Sequence, residues 1–239
     1  MGATREGRFC LITGAKRGIG LEFTRQWLAR GDKVFVLARR PEGSPGLAEL
    51  LRVHAGTLVL QDCDVADDAS VGRARRAVES AWSRLDVVVN NAAIFGERGG
   101  PIDALDLEAI RRTFEVDALG PIRIARALAP LLRKGSDPKL VQITSLMGSI
   151  GDNVSGGYWA YRLGKAALNM ATRNLAHDLK ADGIVAVALH PGWVRTEMGG
   201  PEAPLTAQEA VTSLVRTIDR LTAKRSGAFL DRHGKPCPW

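Results

Sequence analysis

A doubly wound α/β fold around a parallel sheet is what this sequence predicts, on three observations. Short β-branched runs alternate with longer amphipathic stretches from one end of the chain to the other. The short runs are nearly unbroken in aliphatic residues, as strands covered on both faces must be. The first run stops at a glycine-rich turn that opens directly into a helical pattern.

Phe9 to Thr13 is the first strand. Leu21 to Arg30 follows with helical spacing, Phe23 and Trp27 sharing one face and Gly31 standing where a helix would end. Val34 to Ala38 and Thr57 to Leu60 read as the next two strands, and polar Asp62 to Asp68 leads into a helix over Val71 to Trp82. Leu85 to Val89 is a strand and Leu107 to Leu132 one long helical segment. Leu140 to Thr144, Ile184 to Leu189 and Gly227 to Leu230 complete the strands, with helices over Gly157 to Ala181 and Ala207 to Leu221. Arg40 to Gly46 and Trp193 to Leu205 are rich in Gly and Pro and read as loops, the second long enough to cover a site. No linker, repeat or low-complexity tract divides the chain, so residues 1–239 are expected to form a single dinucleotide-binding domain.

The composition narrows the class. At 45% apolar and 25% charged residues the chain is ordinary for a globular protein. No apolar run reaches the roughly 18 residues that span a bilayer. Polar Met1 to Arg8 contains no leader-like apolar stretch, so no secretory leader is expected. Cys10, Cys63 and Cys237 are scattered, suggest no metal, and fit a reducing, cytoplasmic setting. The net charge of +7 reads as an arginine-rich solvated surface rather than a nucleic-acid footprint, because no aromatic residues interleave the arginines.

The loop after the first strand runs Thr13, Gly14, Ala15, Lys16, Arg17, Gly18, Ile19, Gly20. Gly14 suits the tight turn, Gly18 lets the backbone approach a pyrophosphate at a helix N-terminus, and Gly20 allows close helix–sheet packing. Strand before and helix after make this a dinucleotide cradle rather than a bare turn. In NAD-binding sheets a carboxylate ends the second strand; here that place holds Arg39 and Arg40. Arginine pairs with a 2′-phosphate and a carboxylate repels it, so NADPH/NADP+ is expected in preference to NADH, with Arg17 as a second cation.

These residues bring the chain within reach of a known family. Along nearly its whole length it resembles the short-chain dehydrogenases/reductases. The glycine pattern, Asp64-Val65 after the third strand, Asn90-Asn91-Ala92-Ala93 after the fourth, Tyr161-x-x-x-Lys165, and Pro191-Gly192-Trp193-Val194-Arg195-Thr196 occur in the family's order. Within it, Ser145 to Asn169, with a long gap between serine and tyrosine, and the ending Gly227 to Trp239 are similar to the C-signal and sniffer-type carbonyl reductases. The resemblance implies NADPH-linked reduction of a carbonyl to an alcohol. It also implies an adenine contact from Asp64 and Val65, cofactor contacts from Asn91, Ala92, Pro191, Gly192 and Val194, a carboxamide contact from Thr196, and bonds from Tyr161 and Lys165 to the nicotinamide ribose side.

Tyr161 and Lys165 are four apart in a helical segment and so share a face. A phenol with a pKa near 10 is a poor base at neutral pH, and a nearby ammonium lowers that value. Tyr161 would then act as general acid in reduction and base in oxidation. Ser145, at a strand end, would hydrogen-bond the same substrate oxygen and stabilise the developing alkoxide. Ser149 is a rival serine; strand ends carry sites in such sheets, which favours Ser145. Tyr158 has Arg162 rather than a lysine four residues on and is assigned to packing or substrate contact.

Besides Ala93, which takes the last place of the family's Asn-Asn-Ala-Gly motif, two positions depart from the family pattern. In Phe114-x-Val116-Asp117-x-x-Gly120, Asp117 replaces the usual asparagine. A carboxylate near Lys165 would weaken its pull on Tyr161, which places Asp117 with Ser145, Tyr161 and Lys165 in the candidate catalytic set. Gly164 stands where serine or alanine is usual, and a mid-helix glycine costs up to about 1 kcal/mol with no compensation visible in the sequence. The segment Ile94 to Pro101 and residues 193–205 are expected to shape the pocket, with Phe95, Trp159, Trp193 and Met198 as apolar walls for a small carbonyl or alcohol substrate. The long helices carry apolar residues on more than one face, which suggests a homodimer or homotetramer. The alternative reading is an NADP(H)-binding regulatory protein with weak catalysis; Asp117 and Gly164 are its support, the retained Ser145, Tyr161 and Lys165 the evidence against it.

Overall fold

A computed structural model describes residues 7–97 and 101–239. The first six residues, and positions 98–100 of the expected pocket segment, lie outside the described residues. The elements are β1 (Phe9–Thr13), α1 (Gly18–Ala29), β2 (Lys33–Ala38), α2 (Pro45–Val53), β3 (Leu58–Asp62), α3 (Asp68–Ala81), β4 (Val87–Asn90), α4 (Leu107–Phe114), α5 (Gly120–Leu132), β5 (Lys139–Ile143), α6 (Trp159–Asp178), β6 (Val185–His190), α7 (Ala207–Asp219) and β7 (Phe229–Asp231).

The strands form one seven-stranded sheet in the order β3-β2-β1-β4-β5-β6-β7, every pair parallel. Parallel neighbours need crossover helices, and these cover both faces. On one face Phe23, Trp27, Leu47, Val211, Leu214 and Ile218 of α1, α2 and α7 meet Cys10, Ile12, Val34 and Val36. On the other, Val71, Val78, Ile124 and Leu128 of α3 and α5 meet Leu11, Phe35, Val88 and Leu140. Alternate residues of one strand thus serve opposite cores, which is why the strands read as continuous apolar runs. The strand order reverses between β1 and β4, and the crevice beyond the strand ends at such a reversal is where sheets of this kind hold ligands.

The structure corrects the sequence reading in three places. The expected loop over Arg40 to Gly46 holds a short 3-10 turn, Pro41–Gly43, and the start of α2. Ser44 caps that helix by accepting from the Leu47 N–H, and Pro45 sits at its first position, where a missing N–H costs nothing. The expected long helix from Leu107 to Leu132 is broken by a π turn, Glu115–Leu119, between α4 and α5. Pro121 has no N–H to give the Asp117 carbonyl one turn back, and the Gly120 N–H bonds the Glu115 carbonyl instead. The helix expected from Gly157 starts at Trp159, after Gly156, Gly157 and Tyr158 all adopt positive φ. Among the described residues no helix is long and apolar enough to cross a membrane, and no cluster of His, Cys, Asp and Glu could hold a metal ion.

Candidate active site

The cradle is built by close backbone packing. Gly14 has φ +71°, and a Cβ there would lie 2.7 Å from the Ala92 Cα. A Cβ on Gly20 would lie 2.6 Å from Asn91 Nδ2 and 2.7 Å from the Gly14 carbonyl oxygen. Only glycine fits both places. The loop is then tied to the end of β4: Thr13 Oγ1 accepts from the Asn91 and Ala92 N–H groups, and Asn91 Nδ2 donates to the Thr13 and Gly14 carbonyls. The first turn of α1, from Gly18 and Ile19, faces the crevice with its N–H groups free of any side-chain cap.

Around this cradle the basic residues are placed unequally. Arg39 and Arg40 are exposed at the end of β2, and no carboxylate of the described residues pairs with either guanidinium. The Arg40 backbone is left-handed, φ +48°, and its N–H donates to Asp62 Oδ1 at 2.6 Å. Asp62, at the end of β3, is a carboxylate that the sequence reading did not single out. Lys16 is half-buried, its carbonyl accepting from Ser44 Oγ at 2.7 Å. Arg17 pairs with Glu197 of the 193–205 loop at 2.9 Å, both side chains well exposed. Asp64 Oδ1 accepts from the Ala66 N–H, turning the chain below the crevice, and Val65 is buried against Gly120.

The 193–205 loop lies over the cradle. Its neck is closed by a parallel bridge between Val194 and Leu205, with the Arg195 N–H on the Leu205 carbonyl. Gly192 bends the chain at φ +88° immediately after Pro191. Thr196 Oγ1 donates to the Val194 carbonyl and accepts from the Gly199 N–H, and its methyl lies 3.1 Å from where a Gly18 Cβ would be.

At the other side of the crevice, β5 delivers Ser145 and α6 presents Tyr161 and Lys165. Ser145 Oγ accepts from the Met147 N–H, and the serine stands near enough to Tyr161 to favour its phenolate. Ser149 is turned away: its Oγ donates to the Trp239 carbonyl and accepts from the Asp152 N–H, both at 3.0 Å. His190 Nδ1 accepts from the Leu146 N–H, steadying the turn after Ser145, and burial pushes its pKa down to about 4. Lys165 is almost fully buried. Its Nζ donates to the Ile143 carbonyl at 3.2 Å and lies 3.1 Å from Asp117 Oδ2, an ion pair rather than an aligned hydrogen bond. Asp117 is wholly buried, and its Oδ1 accepts from the Ile94 N–H at 2.8 Å.

These contacts set the direction of each titration. Burial raises Tyr161, with the Asp117 carboxylate pushing the same way, against the pull of Lys165 and of Ser145. Burial works to lower Lys165, but Asp117 and Tyr161 outweigh it and raise it above the ordinary lysine value. Burial likewise raises Asp117, against the pull of Lys165 and the Ile94 N–H.

Phe95 stacks on Tyr161, ring centroids 4.8 Å apart, and meets Tyr158 edge-on. Trp193 and Met198 are exposed on the covering loop, with Trp193 Nε1 on the Gly199 carbonyl. Trp159 is not part of this surface. It shares the opposite face of α6 with Leu163 and Ala166, lining a separate cavity of about 190 Å³ that contains neither Ser145 nor Tyr161. Helical periodicity would have revealed this, since residue 159 points away from 161 and 165.

The assembled crevice therefore juxtaposes an anion-receptive glycine turn, free cations at the end of β2, and a buried tyrosine held between a serine and a lysine. A model of the short chain dehydrogenase family matches residues 8–205. C-signal of Myxococcus xanthus is 46% identical over 157 residues, covering 65% of this chain and 93% of its own. Among solved structures, carbonyl reductase Sniffer of D. melanogaster superposes with a TM-score of 0.93 at 32% identity, covering 98% of this chain and all of its own. An NADPH-bound carbonyl reductase from chicken fatty liver does so with a TM-score of 0.92 at 34% identity, covering 98% and 95%.

Proposed function

The chain belongs to the short-chain dehydrogenase family, and on that premise we propose that it is an NADPH-dependent reductase of ketones or aldehydes, with Tyr161 as proton donor. The observation that carries this reading is the convergence of Tyr161 with Ser145 and Lys165, whose Nζ lies 5.4 Å from the tyrosine ring centre, beside a cradle that admits no side chain at Gly14 or Gly20.

The residues fit a phosphorylated dinucleotide. Gly14, Gly18, Ile19 and Gly20 would receive the pyrophosphate at the N-terminus of α1, and Arg39 and Arg40, with Lys16 and Arg17, would receive the 2′-phosphate. Asp64 and Val65 would flank the adenine. Asn91, Ala92, Pro191, Gly192, Val194 and Thr196 would line the nicotinamide half, with Tyr161 and Lys165 at its ribose. When bound, NADPH supplies the hydride. The chain's own residues do the rest: Ser145 and Tyr161 hold the carbonyl oxygen, Tyr161 donates its proton as negative charge develops there, and Lys165 stabilises the phenolate left behind. Phe95, Tyr158, Trp193 and Met198 suit an apolar carbonyl compound. The apolar stripe exposed on α4 and α6, with Leu107, Phe114, Leu163 and Met170, supports a homo-oligomer, which sedimentation would size.

The test is NADPH consumption, followed by nicotinamide absorbance, against a panel of ketones, aldehydes and quinones, with NADH in parallel. Turnover with NADPH is expected, and Tyr161→Phe should lower it about 10²–10⁴-fold while weakening NADPH binding by far less. Turnover that survives Tyr161→Phe would remove the tyrosine from the mechanism. The Asp117–Lys165 ion pair favours a second reading, an NADP(H)-binding regulatory protein, because it opposes the lysine field on which the tyrosine depends. Tight NADPH binding with no turnover across the panel is the result that reading expects.

A further inference from the structure

Two departures from the family pattern, Asp117 and Gly164, touch each other. A Cβ on Gly164 would lie 3.1 Å from the Asp117 Cβ and 3.6 Å from the Thr113 Cγ2. So α6 approaches the π turn more closely at Gly164 than a side chain there would comfortably allow. That approach is also where Lys165, the next residue, meets Asp117 Oδ2 at 3.1 Å. A glycine that costs stability within a helix is thereby accounted for: it brings a carboxylate onto the buried lysine.

We propose that Gly164 and Asp117 act as one positioning device, which places a carboxylate on Lys165 and so sets the pH at which Tyr161 gives up its proton. The inference rests on the reading of Tyr161 as proton donor. Few other charges bear on the group. From α6 it meets Lys165 and Tyr161; from the segment after β4, the Ile94 N–H; from β5 and the turn after it, the Ile143 carbonyl on Lys165 and Ser145 on Tyr161. On the π turn itself Glu115 is engaged by Arg123, and on α4 the Thr113 hydroxyl bonds the Ala109 carbonyl.

The sign follows from charge alone. An unopposed ammonium favours the phenolate and draws the tyrosine down in pH. A carboxylate in contact with that ammonium cancels part of its field, so Tyr161 stays protonated to higher pH. Replacing Asp117 by asparagine keeps the size and an oxygen for the Ile94 N–H but removes the charge. Placing a Cβ at 164 pushes the carboxylate back by a few tenths of an ångström, which weakens the same effect without removing it.

The chain has only two tyrosines, Tyr158 and Tyr161. Carbon-13 at the hydroxyl-bearing ring carbon therefore gives two resonances, assigned by Tyr161→Phe. Each is titrated in the free chain and in the NADP+-loaded chain. Asp117→Asn is expected to lower the Tyr161 midpoint by about one pH unit or more and to leave Tyr158 in place. Gly164→Ala is expected to move Tyr161 the same way by less, and to do nothing further in the Asp117→Asn background. In steady-state reduction the alkaline fall of kcat should come at correspondingly lower pH in Asp117→Asn.

A Tyr161 midpoint unmoved by Asp117→Asn overturns the proposal. Equal shifts from Gly164→Ala in both backgrounds, or a Gly164→Ala chain that cannot fold, overturn the part assigned to Gly164; Asp117→Asn still decides the rest. If the midpoint moves as expected but Tyr161→Phe turns over normally, the electrostatic device stands and the assignment of Tyr161 as proton donor is what fails.

Discussion

Two carboxylates are buried at opposite ends of the sheet, and they do different work. Asp86 lies just before β4 at the end away from the crevice, 1% exposed; Asp117 lies beside the crevice and is wholly buried. Asp86 accepts from two backbone N–H groups, Phe9 at 2.9 Å and Ser136 at 2.7 Å, with Arg84 Nε at 3.4 Å. It therefore rivets three chain segments. Asp117 accepts from one backbone N–H and shares its cation with a titratable phenol. A buried carboxylate saturated by the backbone is a stability element; one coupled through a cation to another proton carrier can also tune that carrier.

The largest effect expected on this contrast is on folding. Asp86→Ala leaves the Phe9 and Ser136 N–H groups without an acceptor and Arg84 without this carboxylate. About 3–5 kcal/mol should be lost in urea denaturation. Asp117→Asn keeps an oxygen for Ile94 and leaves Lys165 its Ile143 carbonyl, but it strips a buried ammonium of its counterion, so its loss should approach the same range. Only Asp117→Asn, however, should move the alkaline limb of turnover. Equal stability losses with no change in pH profile would make both residues structural and erase the distinction.

The arginines sharpen the same comparison. At the end away from the crevice, Arg8 and Arg30 are both committed to Asp32 and Asp219. At the crevice end, Arg39 and Arg40 pair with no carboxylate of the described residues. Charge-assisted bonds to a phosphate are worth roughly 1.5–3 kcal/mol each, about tenfold or more in affinity. Arg40→Ala should weaken NADPH by that factor in a binding titration and leave NADH nearly unchanged. A parallel loss for both cofactors would assign the arginine to the loop rather than to the 2′-phosphate.

Much of this contrast was open to reading in the sequence. The strands were legible because burial on both faces leaves an uninterrupted aliphatic run, as in Val34 to Ala38. The cradle was legible because Gly14 and Gly20 have a packing reason that shows in their spacing. Tyr161 and Lys165 were legible as a pair because helical spacing fixes their common face. The start of α2 was obscured because Pro41, Pro45 and two glycines look like loop composition, although Ser44-Pro45 carries a helix-start pattern. The π turn left no periodic trace, since it depends on which N–H Pro121 cannot provide. The reason for Gly164 lies in Asp117, on a different helix, and no local pattern connects them.

Acid stability offers a smaller effect at the crevice end. His190 is held neutral, its pKa depressed by burial from 6.5 to about 4. The unfolded chain takes up that proton first, so His190 contributes stability fully above pH 6.5 and loses it as the pH falls towards 4. His190→Asn, whose amide oxygen can still accept from Leu146, should flatten the stability profile over that interval. An unchanged acid limb would mean that carboxylates alone govern it.

The smallest effect separates two serines near one another in sequence. Ser145 faces Tyr161, whereas Ser149 spends its hydroxyl on the Trp239 carbonyl and the Asp152 N–H. Removing a buried hydroxyl that joins two backbone groups costs about 1 kcal/mol, so Ser149→Ala should lower the midpoint of unfolding slightly. Its kcat should match that of the unmodified chain, because no atom of Ser149 points into the crevice. Ser145→Ala should do the reverse, cutting kcat with little change in stability, since the Met147 N–H it releases lies at an open turn. Measured side by side, the two variants ask whether the end of β5 or the turn beyond it carries the chemistry. A loss of kcat in Ser149→Ala as large as that in Ser145→Ala would move the site off the strand end and undo the geometry on which the proton transfer is built.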